Sequence, residues 1–264
     1  MPRSADELRQ EGRAWLAAAA GRLMLPRTLY LVPGITNEDA LMWATVEAEG
    51  RRAFRNWDAY ARPVKFESVS PNQTFEDQGI YFESIVASTY PADGLHLVGD
   101  YDILSYSMGG LDAAFALERA AESSSAATPR MRRSFNFITL DAPFDGVPNW
   151  RLRKTFSDMI GRPDRQSQCD ALAPHSPELT RLGARRDLLG AACERVTCYS
   201  AGGDSAVQVP WSSSDLFADM GSAAPWGPRP SYRHYIVPGA SHSGESAIYD
   251  NPYVIASVFG VLIS

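Results

Sequence analysis

The sequence predicts an α/β fold, a mostly parallel sheet flanked by helices, on three observations. From about Thr28 onward, short apolar runs rich in β-branched residues alternate with segments of helical period, the pattern of parallel strands joined by crossover helices. One junction, Tyr101 to Phe115, passes from a strand-like run through Ser107-Met-Gly-Gly110 into an Ala-rich helix. The third is size and composition: 264 residues with 45% apolar and 21% charged side chains suffice for one well-filled α/β domain. A single domain over residues 1–264 is therefore expected.

Ser4 and Glu7 form a capping box for an amphipathic helix running to about Ala20, placed outside the sheet. Thr28 to Val32 reads as a buried strand stopped by Pro33-Gly34, after which Asn37 can cap a helix through Glu49. Pro63 to Val69 is expected to be a strand, Glu76 to Thr89 a helix, Tyr101 to Tyr106 a strand and Met108 to Ala121 a helix. Glu122 to Pro129 is a polar connection and Phe135 to Leu140 the next strand. Residues 145–194 interrupt the alternation with charged, Pro-containing and partly helical sequence too long for an ordinary connection, and read as a cap over a site. Arg195 to Ser200 and Arg233 to Val237 are the last strands, and Pro252 to Ile263 a closing helix. No internal repeat is visible.

Lys and Arg total 25 against 31 Asp and Glu, a net charge of −6, which argues against a nucleic-acid partner. The longest apolar runs, Ala14 to Ala20 and Val254 to Ile263, fall short of a transmembrane span. Arg3, Arg9 and Arg13 are offset by Asp6, Glu7 and Glu11, so the start lacks the positive charge of a secretory signal. A cytoplasmic protein is expected, or a secreted one whose leader is not in the sequence. Cys169, Cys193 and Cys198 match no zinc spacing. Cys169 and Cys193 could close a loop as a disulfide, but three thiols is the favoured reading. With no His-x-x-x-His pair, Cys-x-x-Cys pair or phosphate loop, no metal and no cofactor are expected.

The chemistry centres on Ser107. It stands between a strand and a helix, with Ser105 two residues before and Gly109 two after. Small residues are needed there because the turn is sharp enough to hold the serine at strained backbone angles. The helix beginning at Met108 adds unpaired N–H groups and the positive end of a dipole. A serine hydroxyl needs a base, usually a histidine oriented by a carboxylate. Of the four histidines, His242 follows the last strand in a loop of small residues, where the sheet's C-terminal edge presents side chains to a common crevice. His234 lies within that strand, His96 in a turn-rich stretch and His175 in the cap. Two aspartates between serine and histidine end strands: Asp204 in Gly202-Gly-Asp204-Ser-Ala-Val and Asp141 in Thr139-Leu-Asp141-Ala-Pro. Asp204 is favoured as the orienting acid because its strand directly precedes the histidine strand; Asp141 is the alternative, otherwise a wall of the pocket. The N–H groups of Ile35, after Gly34, and of Met108 are the candidate oxyanion donors.

These segments resemble the α/β-hydrolase superfamily, in its lipase and esterase branch rather than among peptidases or epoxide hydrolases. Ser107-Met-Gly-Gly110 is similar to the nucleophile motif of bacterial lipases, and Thr139-Leu-Asp-Ala-Pro-Phe-Asp-Gly146 to the strand and loop that follow it. His175-Ser-Pro-Glu-Leu179 is similar to a short Ser-x-x-Leu helix of lipases, and Gly203-Asp204 and Gly239-Ala-Ser-His242 to their acid and histidine loops. Ser105, Pro33 and Phe144 depart from the family's usual Gly, His and His. The resemblance implies a serine carboxylic-ester hydrolase working through an acyl-enzyme on a small-molecule or lipid ester. A thioesterase or acyltransferase with the same triad is the alternative, and a non-catalytic binder on the same fold a third reading. Trp150, Phe156, Met159 and Ile160, interspersed with Arg151, Arg153 and Arg162, would suit an amphipathic lid over an acyl pocket or equally an ordinary core closure.

Overall fold

The computed structural model describes residues 3–34, 40–66, 74–89, 101–123, 134–147, 170–185, 188, 192–203 and 231–264. Its described strands are β1 (Leu29–Val32), β2 (Ala61–Pro63), β3 (Tyr101–Tyr106), β4 (Ser134–Leu140), β5 (Cys193–Ala201) and β6 (Ser231–Val237). They form one sheet in the order β2-β1-β3-β4-β5-β6, with every neighbouring pair parallel. The α/β expectation therefore holds.

Strands in such a sheet are covered on both faces, which explains why β1 and β3 are buried at every position. Alternation divides their side chains between two cores. Tyr30, Val32, Ile103, Phe137 and Val196 face one cluster, which includes Phe82 and Val86 of α4 (Phe75–Thr89) and most of α5 (Met108–Ser123). Leu29, Leu31, Leu104, Ile138 and Tyr199 face the other, with Leu16 of α1 (Ala5–Ala19), Val46 of α2 (Ala44–Ala53) and the apolar helix α7 (Pro252–Ile263). One residue of slip would exchange the two sets.

The capping box at α1 is formed, Ser4 and Glu7 each satisfying the other's N–H. Residues 35–39 lie outside the described residues. A 3₁₀ turn, Ala40–Trp43, then leads into α2, which continues to Ala53 rather than stopping at Glu49. Gly50 within it is required by packing, since a Cβ there would lie 2.4 Å from the Trp57 ring in α3 (Trp57–Tyr60). The strand expected over Pro63 to Val69 is instead β2, three residues ending at Pro63. Among the described residues it pairs with β1 alone, and an edge position tolerates proline. Most of the expected cap, residues 145–194, falls outside the described residues. Its described part contains α6 (Pro177–Ala184), capped by the Ser176 hydroxyl, with Leu179 and Leu182 buried. Cys193 and Cys198 are buried in β5, while Cys169, and with it the disulfide, lies outside the described residues.

Candidate active site

Ser107 follows the last residue of β3 and precedes the first of α5. Its φ is +52°, in the left-handed region that a side chain enters only where the surroundings compel it. They do so by close approach. A Cβ on Gly109 would lie 2.0 Å from the Pro33 carbonyl oxygen, and one on Gly110 would lie 2.4 Å from Ala142 Cβ. The Ser107 N–H donates to Leu140 O (2.9 Å) and its carbonyl accepts from Gly110 N (3.0 Å), so the turn is tied to β4 and to its own helix. Ser105 is accommodated because its buried hydroxyl donates to Ile138 O at 3.1 Å.

His242 lies in the loop after β6. The loop is closed by Ser241 N–H to Ser246 O and Ile248 N–H to Ser241 O, both 2.9 Å, and Gly239 turns it at a φ of +69°. Helix α1 supports it from outside: the Arg9 guanidinium reaches Gly239 O at 3.4 Å and Ser246 Oγ at 3.3 Å. Two further bonds, Gly202 N–H to Val237 O (2.9 Å) and Gly203 N–H to Ala240 O (2.8 Å), dock the loop on the end of β5.

Three side chains meet at the C-terminal edge of the sheet. Ser107 Oγ lies 3.0 Å from His242 Nε2, and His242 Nδ1 lies 2.8 Å from Asp141 Oδ2. All three are buried. The second Asp141 oxygen accepts the Ala201 N–H at 3.0 Å. Asp141, like Ser107, has a φ of +52°, a bend that turns its carboxylate out of the line of β4. The carboxylate at Nδ1 is therefore that of Asp141, the alternative acid, while the favoured Asp204 lies outside the described residues. The physical reason is strand order: β4 lies directly beside β3, so its end is one strand from Ser107, and β5 contributes a backbone N–H instead.

The other histidines stand apart. His234 Nε2 is 2.7 Å from the buried Ser200 hydroxyl on the outer strands, where burial lowers the imidazole's proton affinity; His175 is exposed and precedes α6. His96 is outside the described residues. Of the two candidate N–H donors, Met108 is the first residue of α5, where an N–H has no partner within the helix. Ile35 is outside the described residues, but its neighbour Gly34 approaches Ser107 so closely that a Cβ there would lie 3.0 Å from Ser107 Cβ. The sequence reading passed over Tyr106. Its hydroxyl donates to His242 O at 2.7 Å, and its ring stacks on the imidazole with centroids 5.0 Å apart and planes 29° apart. Burial raises its phenol pKa well above the usual range, so it remains a donor. Among the described residues no cluster of His, Cys, Asp or Glu is suited to a metal, and no helix is long and apolar enough to cross a membrane.

No family model and no curated protein matches the chain. Solved structures do match. Phospholipase PlaB from Legionella pneumophila, in complex with thio-NAD, superimposes with a TM-score of 0.65 at 14% identity, over 90% of this chain and 59% of that one. Monoacylglycerol lipase from Paleococcus ferrophilus gives 0.55 at 12% identity over 92% and 96%, and lipase B from Aspergillus fumigatus 0.57 at 14% over 94% and 56%. The fold is that of the α/β-hydrolases. The chain spans about three-fifths of the length of PlaB, and identities this low establish an α/β-hydrolase scaffold and nothing about substrate.

Proposed function

We propose that this α/β-hydrolase is a serine carboxylic-ester hydrolase, with Ser107 as nucleophile, His242 as general base and Asp141 as the orienting acid. The observation that carries the reading is the continuous relay Ser107 Oγ, His242 Nε2 and Nδ1, Asp141 Oδ2, with bonds of 3.0 and 2.8 Å, at a left-handed strand-to-helix turn. With Nδ1–H donated to the Asp141 carboxylate, Nε2 presents its lone pair to the serine hydroxyl. As Ser107 Oγ bonds to the ester carbonyl carbon, its proton passes to Nε2, and Asp141 stabilises the resulting imidazolium. The carbonyl oxygen becomes an oxyanion, held by the Met108 N–H and by a donor of the Gly34-Ile35 loop. Collapse breaks the carbon–oxygen bond to the leaving alcohol, which takes the proton from Nε2. Water, deprotonated by the same imidazole, then attacks the acyl-Ser107 ester; the acid product leaves and the serine recovers its proton. That the similar structures include a phospholipase and two lipases favours an ester substrate.

The test is covalent labelling. A fluorophosphonate probe should modify the wild type at Ser107 and leave Ser107→Ala and His242→Ala unmodified, and a chain-length series of p-nitrophenyl esters should be hydrolysed by the wild type alone. Labelling that survives Ser107→Ala would sink the assignment.

A further inference from the structure

The in-plane nitrogens of His242 are taken by Ser107 and Asp141, so whatever else acts on the ring must act on its faces. Tyr106 covers one of them. Alternation along β3 turns Ser105 and Tyr106 to opposite faces of the sheet, and Tyr106 falls on the side of α7 and the histidine loop. Its hydroxyl, at 2.7 Å from His242 O, fixes the backbone of the residue whose ring lies over its own. Tyr249, in the turn before α7, packs against the Tyr106 ring in a T-shaped contact with centroids 4.9 Å apart and planes at 78°.

We propose that Tyr106 is a positioning residue for His242, its hydroxyl fixing the histidine's backbone and its ring face stabilising the imidazolium that forms when Ser107 gives up its proton. The inference rests on the serine-hydrolase reading above. An aromatic face attracts a cation and is nearly indifferent to a neutral imidazole. Its contribution therefore grows only as positive charge develops, which is the condition for accelerating the reaction rather than merely stabilising the fold. The other groups around His242 are Asp141 and Ser107 in the ring plane, Tyr249 and Asp250 beyond Tyr106, and Arg9 and Glu245 at the loop. None of these is stacked on the imidazole among the described contacts; Tyr106 is.

The experiment compares wild type with Tyr106→Phe and Tyr106→Leu, following the His242 imidazole by NMR titration and kcat against pH on p-nitrophenyl acetate. If the ring face favours the cation, Tyr106→Leu should move the imidazole midpoint and the acid limb of the profile to lower pH than in the wild type, and reduce kcat about tenfold. Tyr106→Phe keeps the ring and loses the tether, so it should lower kcat by up to about tenfold without moving the midpoint. If Tyr106→Leu does not fold, Tyr249→Leu, which removes the T-shaped contact with that ring, should shift the midpoint in the same direction by less. An unchanged midpoint in the leucine variant, with normal fluorophosphonate labelling, overturns this inference alone. A lower midpoint in Tyr106→Leu than in the wild type, with a wild type that the probe does not label, overturns the hydrolase reading on which the inference rests.

Discussion

Asp141 and Asp112 are both fully buried, one directly after β4 and the other in the second turn of α5. Yet they solve the cost of burial in opposite ways. Asp141 receives two N–H donors, one from Ala201 and one from His242. Asp112 receives none among the described residues; both its oxygens are buried without a hydrogen bond, and desolvation raises its pKa well above the ordinary carboxylate range. An intermediate case is Asp102, whose carboxylate is bonded to Arg27 and to the Asn136 backbone and side chain, yet whose pKa burial still raises. Burial alone thus does not mark a functional carboxylate here. What differs among the three is the set of donors that each carboxylate is given in place of water.

The largest effect should come from Asp141→Asn. The prototype of this substitution lowers kcat by about 10⁴, with the fold intact. Steady-state ester hydrolysis with circular dichroism on the same sample checks it, and retention of most activity would return the acid role to Asp204. Next is the packing that keeps Ser107 in its turn. Gly109→Ala would drive a methyl into the Pro33 carbonyl and should abolish activity and lower Tm by many degrees. Gly183→Ala, in α6 with nothing within 4 Å of the new Cβ, should be neutral or stabilise by about 0.5–1 kcal/mol. Thermal melts of the two variants decide.

Asp112→Asn tests the orphan acid through pH. Its folded pKa lies above the unfolded value of about 3.9, so above that pH the unfolded chain releases a proton that the folded chain retains. Wild-type stability from this group is therefore full below about pH 4 and falls as pH rises, by about 1.4 kcal/mol per unit, until the folded pKa is reached. The asparagine variant lacks this loss. Its Tm relative to wild type should climb as pH rises above about 4 until the folded pKa is passed, and a pH-independent difference would contradict the assignment. The smallest effect belongs to Arg9→Ala, which removes two long hydrogen bonds outside the histidine loop. It should reduce kcat less than about threefold.

Most strands and helices were legible because both cores are written into alternating and helical periods, as Leu29 and Leu31 against Tyr30 and Val32 show. The proximity of Ser107 and His242 was legible because each sits in a local pattern of small residues after a strand. The carboxylate was not. Asp141, before Ala142, and Asp204, after Gly203, both come after strand-like runs in the sequence, and local sequence does not say which strand end lies beside the elbow; the order of strands in the sheet does. Tyr106 was hidden for a related reason, since its partner lies 136 residues away in the chain. Asp112 sits in a helix buried on nearly all sides, so no polar face in the sequence announced that it lacks partners.

The bond from Arg9 to Gly239 joins residues 230 apart, and helices α1 and α7 meet so closely that a Cβ on Gly12 would lie 2.4 Å from Tyr253 N. Contacts this distant along the chain are slow to close, because the entropy of a long loop must be given up before any contact rewards it. The serine and the acid end adjacent strands β3 and β4 and can come together early. The histidine must wait until its loop is clasped between segments from opposite ends of the described chain. During refolding, helical signal and a partly assembled sheet should precede reactivity, and the imidazole should arrive last.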